Sequence, residues 1–149
     1  IDKVSARVFV FDAAGRLQGH DAALLGSARG DRTASGIGDL SLSAIRPEDR
    51  TTPAGRFVAH LDKDIKGRGV LLIDYDASLA LHPVVPGTAK ERRAERLRSE
   101  TPDDNRISFG CINVPPSFYQ SVVAPAFRQT AGIVYILPET LPAREFFGN

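Results

Sequence analysis

Val4, Ala6, Val8 and Val10 alternate with Ser5, Arg7, Phe9 and Phe11. A period of two in β-branched and aromatic residues predicts a strand. Asp12-Ala13-Ala14-Gly15 then reads as a turn, and Arg16-Leu17-Gln18 as the short return of a hairpin. Residues 26–39 are rich in glycine, serine and aspartate and predict a loop. Ser41 to Ile45 alternates weakly, in the manner of an edge strand. Pro53-Ala54-Gly55 is a turn, and Phe57 to His60 begin a strand that ends near Lys63-Asp64. Val70-Leu71-Leu72-Ile73 is a continuous apolar run, which predicts a strand buried on both faces. Leu79 to His82 is a second short run, closed by Pro83. Thr88 and Glu91 fit a capping box that opens a short, very polar helix through Arg98, on which Ala89, Ala94 and Leu97 are free to bury. Ser117 to Phe127 predicts a second helix with Phe118, Val122 and Val123 on one face. Gly132 to Leu137 is the last strand, and Phe146 and Phe147 in the tail are placed to dock on the body. Many short strands and few helices predict a mainly β fold, a sheet or sandwich with short helices attached. No repeat or linker divides it. Residues 1–149 therefore read as one domain, with a charged helical insertion at about 88–100 and a C-terminal tail at about 138–149.

Composition narrows the function classes. A net charge of +1 gives no electrostatic case for nucleic acid or an anionic membrane surface. No apolar run approaches the roughly 20 residues that span a bilayer. The chain opens at Ile1 with no secretory signal, which is compatible with a processed, exported product. A single cysteine forbids an intramolecular disulfide and leaves the compartment open.

That cysteine lies in Arg106-Ile107-Ser108-Phe109-Gly110-Cys111-Ile112-Asn113, between a polar loop and Val114-Pro115-Pro116. The prolines end any central strand, so Cys111 sits at a short, stiff junction. Gly110 permits a backbone course that a side chain would forbid. Such a junction meets the needs of a cysteine nucleophile: access, a base, and backbone N–H donors for an oxyanion. On composition alone the same residue reads as a packed core cysteine.

The stretch Ser108-Phe109-Gly110-Cys111-Ile112-Asn113 resembles the signature of the L,D-transpeptidase (YkuD-type) catalytic domain, a histidine followed after a spacer by Ser/Thr-His-Gly-Cys-x-Asn or Arg. Ser108, Gly110, Cys111 and Asn113 match it, and Phe109 stands where the family usually has a second histidine. Thr52-Pro53-Ala54-Gly55-Arg56-Phe57 resembles the family's turn and strand upstream of the histidine. The likeness runs from about Val8 to Leu137. It implies the same β-rich, L,D-transpeptidase-like fold, location in the periplasm or cell envelope, and a role in wall biogenesis and cell shape.

Of His20, His60 and His82, the last ends a strand and falls where the family's catalytic histidine lies, followed here by Pro83. The spacer to Cys111 is longer than usual, by the charged segment beginning at Thr88. His20 reads as a surface loop residue and His60 as a half-buried structural one. The resemblance implies Cys111 as nucleophile and His82 as general base and acid, with an imidazole that lowers the thiol pKa. Backbone N–H groups of Gly110, Cys111 and Ile112 form the expected oxyanion pocket. Arg106, Ser108, Asn113 and Tyr75 are candidate substrate contacts. Arg106 is equally readable as an ion pair with Asp103 or Asp104, Asn113 as a turn former, and Tyr75 as an exposed turn residue. The implied substrate is a peptidoglycan tetrapeptide stem. It acylates the cysteine, releases D-alanine, and passes to an amine in a 3→3 cross-link or an anchoring reaction. Alternatives are a carboxypeptidase- or amidase-type hydrolase on the same stem, and a non-catalytic wall-binding domain. A papain-type peptidase is disfavoured, because the histidine precedes the cysteine. No cofactor is implied, and one cysteine with three dispersed histidines does not make a metal site.

Overall fold

Alternation builds the first element, β1 (Arg7–Phe11), in which Val8 and Val10 are buried while Phe9 and Phe11 face solvent. It pairs antiparallel with β2 (Leu17–Ala22). The strand starts later than the sequence pattern, because residues 2–6 form a turn with Ala6 at φ 54°. The computed structural model describes residues 1–148.

The chain is strand-rich, with a curled mixed sheet and a few short helices. β4 (Gly55–Lys63) and β5 (Gly69–Asp74) form an antiparallel hairpin, extended on one side by β9 (Gly132–Ile136) and on the other by β6 (Leu79–Pro83). The last strand is β8 (Ile112–Val114), parallel to β6, with Leu81 opposite Ile112 and His82 opposite Asn113. Beside β8 lies a short parallel pair, β3 (Leu25–Gly26) with β7 (Arg106–Ser108), and Leu24 exchanges backbone hydrogen bonds with Asn113 at 2.7 and 3.0 Å.

One face of the sheet is the core. Leu71, Ile73, Leu79, Leu81, Ile112 and Val114 pack there against Val8 and Val10 of β1 and Phe118 and Val123 of the helical segment α2 (residues 116–127). The apolar run Val70–Ile73 does not meet core on both sides. Leu71 and Ile73 point into it, while Val70 and half-buried Leu72 turn to a cleft on the opposite face. The central turn of α2 is widened at Tyr119–Val123, just ahead of Pro125, which has no N–H to continue the ladder. The expected strand at Ser41–Ile45 is instead a 3-10 turn at Leu42–Ala44; without a partner strand its backbone bonds locally, Ala44 N–H to Ser41 O at 2.9 Å. The capping box at Thr88 and Glu91 is present, but Arg92 at φ 51° separates its turn from α1 (Arg93–Arg98). In α3 (Ala143–Phe147), Phe147 meets the Tyr135 ring edge-on at 5.8 Å. No helix among the described residues is long and apolar enough to cross a membrane.

The sheet alone does not fix the loops around its parallel edge; a buried charge network does. Lys3 is fully buried, and its Nζ donates to Gly30 O at 2.6 Å, Asp31 Oδ1 at 2.7 Å and Thr52 O at 2.8 Å, the full complement of an ammonium. Asp31 also accepts from the Glu139 and Thr140 amides at 2.8 Å each. Arg106 grips the Glu139 carboxylate with two nitrogens, at 3.1 and 2.5 Å, and donates to Lys3 O at 2.9 Å. The N-terminus, the loop before Arg32, the turn before β4, strand β7 and the tail thus meet at one polar knot.

Burial opposes ionisation of Asp31, but the Lys3 ammonium and the Thr140 and Glu139 donors outweigh it and hold the carboxyl at about 2. That lies below the roughly 3.9 of an unfolded aspartate, so its contribution to stability is complete above that value and lost as pH falls towards the folded value. Replacing Lys3 by Met leaves two buried carboxylates short of a cation and is expected to cost about 3–5 kcal/mol in chemical denaturation. Asp31→Asn is expected to flatten the loss of stability that the parent shows between about pH 4 and pH 2.

Candidate active site

Cys111 lies in the three-residue connection from β7 to β8, Phe109–Cys111, held by an interlocked set of short bonds. Ser108 Oγ donates to Cys111 O at 2.6 Å and accepts from the Gly110 amide at 3.1 Å. Thr52 Oγ1 donates to Gly110 O at 2.7 Å and accepts from the Gly26 amide at 2.9 Å. Gly110 has φ 137°, and a Cβ there would stand 2.8 Å from Thr51 O, so only glycine fits. The same Thr52 takes the Lys3 ammonium on its carbonyl, which anchors the cysteine turn to the buried charges.

The parallel register decides what faces the sulfur. Leu81 and Ile112 share the core side, so Ala80, His82 and Cys111 fall on the opposite one, and all three line a cleft of about 1050 Å³. Its floor is β5 and β6. Its walls are the tip of the β4–β5 hairpin, residues 36–42, and Tyr119 of α2. Cys111 is half-buried, with its thiol 3.4 Å from Ser78 O and the Ala80 amide donating to the sulfur. Ser78, at φ 49°, holds a left-handed conformation that is uncommon outside glycine, and so turns its carbonyl to the cysteine. His82 Nδ1 lies 2.8 Å from Pro83 O. A carbonyl only accepts, so Nδ1 carries the proton in that bond and Nε2 keeps the lone pair.

Both groups rest uncharged. Burial pushes the His82 imidazole below its ordinary value; the Pro83 carbonyl opposes this, while the positive charges of Arg68 and Arg93 add to it. Burial pushes the Cys111 thiol up, and the Ala80 donor offsets only part of that. The expected lowering of the thiol pKa by an imidazole is therefore reversed, because the surroundings disfavour the anion.

Several candidates take other places. The guanidinium of Arg106 is committed to Glu139, not to Asp103 or Asp104, and its side chain is 8% exposed, so it cannot receive a substrate carboxylate. Ser108 and Asn113 are buried and shape the turn; Asn113 Nδ2 donates to Cys111 O at 3.3 Å. Tyr75 is exposed, on a turn at the rim of the cleft. The Gly110 amide is taken by Ser108. The Asn113 amide points to Leu24, so that of Ile112 turns to the β6 ladder. The expected three-donor oxyanion pocket reduces to the Cys111 amide. Phe109 lies outside the cleft with Arg50 4.5 Å above its ring. His60 is exposed beside Asp62, not half-buried, and His20 is a surface residue on β2 stacked on Phe9. Two residues escaped the sequence reading. Ser78, in the cleft lining, carries no signal, since its role is a carbonyl. Arg93, outside the lining on Asn113 Oδ1, is hidden in a run of similar charges. Among the described residues no cluster of three or more histidine, cysteine or acidic side chains could hold a metal ion. Comparison with family models, curated proteins and solved structures gives no match to the chain.

Because the thiol is held neutral, its alkylation by iodoacetamide is expected to be slow at pH 7 and to climb only above the roughly 8.5 of a free thiol. A thiol already half-ionised at neutral pH would show a cysteine–imidazolium pair in place of the neutral one.

Proposed function

We propose that the chain is a cysteine-dependent L,D-transpeptidase of the YkuD type, acting on peptidoglycan stem peptides in the cell envelope. The observation that carries this reading is the shared cleft face: the parallel β6–β8 pair sets a thiol and an imidazole on one side of the sheet, with Nδ1 of the imidazole engaged and Nε2 free to accept. The resemblance of the Ser108–Asn113 stretch supplies the substrate class.

In this mechanism His82 Nε2 removes the thiol proton as sulfur attacks the carbonyl between an L-centre and the terminal D-alanine. The Cys111 amide donates to the developing oxyanion; one such donor contributes about 3–4 kcal/mol in comparable sites. The C–N bond then breaks, the imidazolium returns its proton to the departing D-alanine amine, and a thioester remains. An acceptor amine, losing its proton to His82, attacks the thioester, forms the new amide and restores the thiol. The neutral resting pair suits a proton transfer that accompanies attack and does not precede it.

A carbapenem is expected to add once to the intact protein and not to Cys111→Ser, and a tetrapeptide muropeptide to release D-alanine. His82→Ala should slow acylation about 10²- to 10⁴-fold. Since the base must be deprotonated and its pKa is lowered, the acid limb of the rate should lie below the roughly 6.5 of a free imidazole. Absence of both the adduct and D-alanine release would refute the reading; tripeptide as the sole product would replace transfer with hydrolysis.

A further inference from the structure

The charged segment after Pro86 is built to deliver one guanidinium to the cysteine turn. Arg93 stands apart from its neighbours: its side chain is 11% exposed, against 67% for Arg92. Its Nη1 donates to Asn113 Oδ1 at 3.1 Å, and the other end of that fully buried amide holds Cys111 O. Three features of the backbone hold it there. The capping box fixes Glu91, whose carboxylate meets the Arg93 guanidinium at 3.3 Å. Arg92, in the left-handed region, breaks the helix so that consecutive side chains part, one to solvent and one inward. Gly87, at φ 63°, leaves the room the two side chains occupy; a Cβ there would lie 1.9 Å from Glu91 Oε2 and 2.8 Å from Arg93 Nε.

We propose that Arg93 is a positioning residue for the Cys111–His82 pair, acting through Asn113 on the cysteine backbone and by its charge on the protonation state of the imidazole. The inference rests on the assignment of Cys111 as nucleophile. Asn113 has no other partner on Oδ1 among the described residues, so Arg93 fixes the sense of the amide and thereby the Nδ2 donor that faces Cys111 O. The charged and titratable groups of the cleft around the imidazole are Asp62, Lys63, Asp64 and Arg68 of the β4–β5 hairpin, Asp39, Tyr75 and Asp76 at the rim, Tyr119 and Cys111, with Arg93 outside the lining on Asn113. Arg68, paired to Asp64 at 2.7 Å, exerts the larger of the two cationic effects on the imidazole, and Arg93, 11% exposed and bonded to Asn113, adds to it from the β8 side. Its positive charge disfavours imidazolium and keeps Nε2 available as base.

The test is Arg93→Gln, read by NMR titration of the His82 ring and by the concentration dependence of Cys111 acylation by a carbapenem. Removing the cation is expected to raise the His82 pKa and to cut the maximal acylation rate about tenfold, with the half-saturating concentration unchanged. Arg93→Lys, keeping the charge, should restore the titration. Gly87→Ala, displacing the guanidinium without removing it, should slow acylation in the same way. A parental titration and rate in Arg93→Gln would overturn the inference. So would a raised half-saturating concentration with unchanged titration, the mark of a direct contact to substrate. The titration needs no substrate: a parent that no carbapenem acylates, with a His82 pKa that still rises in Arg93→Gln, refutes the transpeptidase reading and leaves this one standing.

Discussion

Two parallel strands cannot be joined by a tight turn; the chain must leave the sheet and return. The β6–β8 pair is the place where this protein meets that constraint, and its candidate chemistry depends on it. Residues 84–111 make the crossing. They carry the charged segment, the polar loop and strand β7 before the chain re-enters beside β6. What looks in the sequence like an addition between a histidine and a cysteine is, in the fold, the connection that lets them share a face. It also explains why Arg93 is available there, since the crossing passes over the edge on which Asn113 lies.

A crossing of that length has many conformations, and the buried charges select one. Lys3, Asp31, Arg106 and Glu139 come from distant points in the chain and satisfy one another almost completely. Buried ion pairs contribute less net stability than their Coulomb attraction suggests, because each charge is first stripped of water. Their value here is positional. Thr52 carries the link, taking Lys3 on its carbonyl and giving its hydroxyl to Gly110, one residue before the sulfur. A disturbance at the N-terminus or the tail therefore has a direct bonded route to the cysteine.

Burial keeps the thiol and the imidazole uncharged, although acidic and basic side chains, among them Asp62, Lys63, Asp64 and Arg68, also line the cleft. The sheet face under Cys111 and His82 is apolar, so neither the thiolate nor the imidazolium is favoured at rest. The polar groups that do reach the sulfur are main-chain ones, the Ser78 carbonyl and the Ala80 amide, at the point where the β6 ladder runs past the end of β8. These orient the thiol without ionising it. A thiol held in its neutral form is the weaker nucleophile, which guards a lone cysteine against adventitious chemistry.

Local pattern determined the elements whose cause is local. Alternation in Val8 and Val10, the apolar runs of β5 and β6, the capping box at Thr88 and the prolines after Val114 were legible because period, hydrogen-bond loss and capping act within a few residues. Cys111 and His82 were legible as chemistry-bearing side chains at element ends, and the structure sets both in one cleft. The weak alternation at Ser41–Ile45 misled, since a strand exists only where a partner completes its hydrogen bonds. The roles of Arg106, Ser108 and Asn113 were not legible, for a reason that holds generally. A guanidinium or an amide acts on whatever stands within about 3 Å of it, and the partners here, Glu139, Cys111 O and Arg93, are set by the register of β8 and the path of the crossing. Sequence named the candidate side chains; only the tertiary structure decided which of them share a cleft, because the register of β6 on β8 and the burial of that face are set by contacts far apart in the chain.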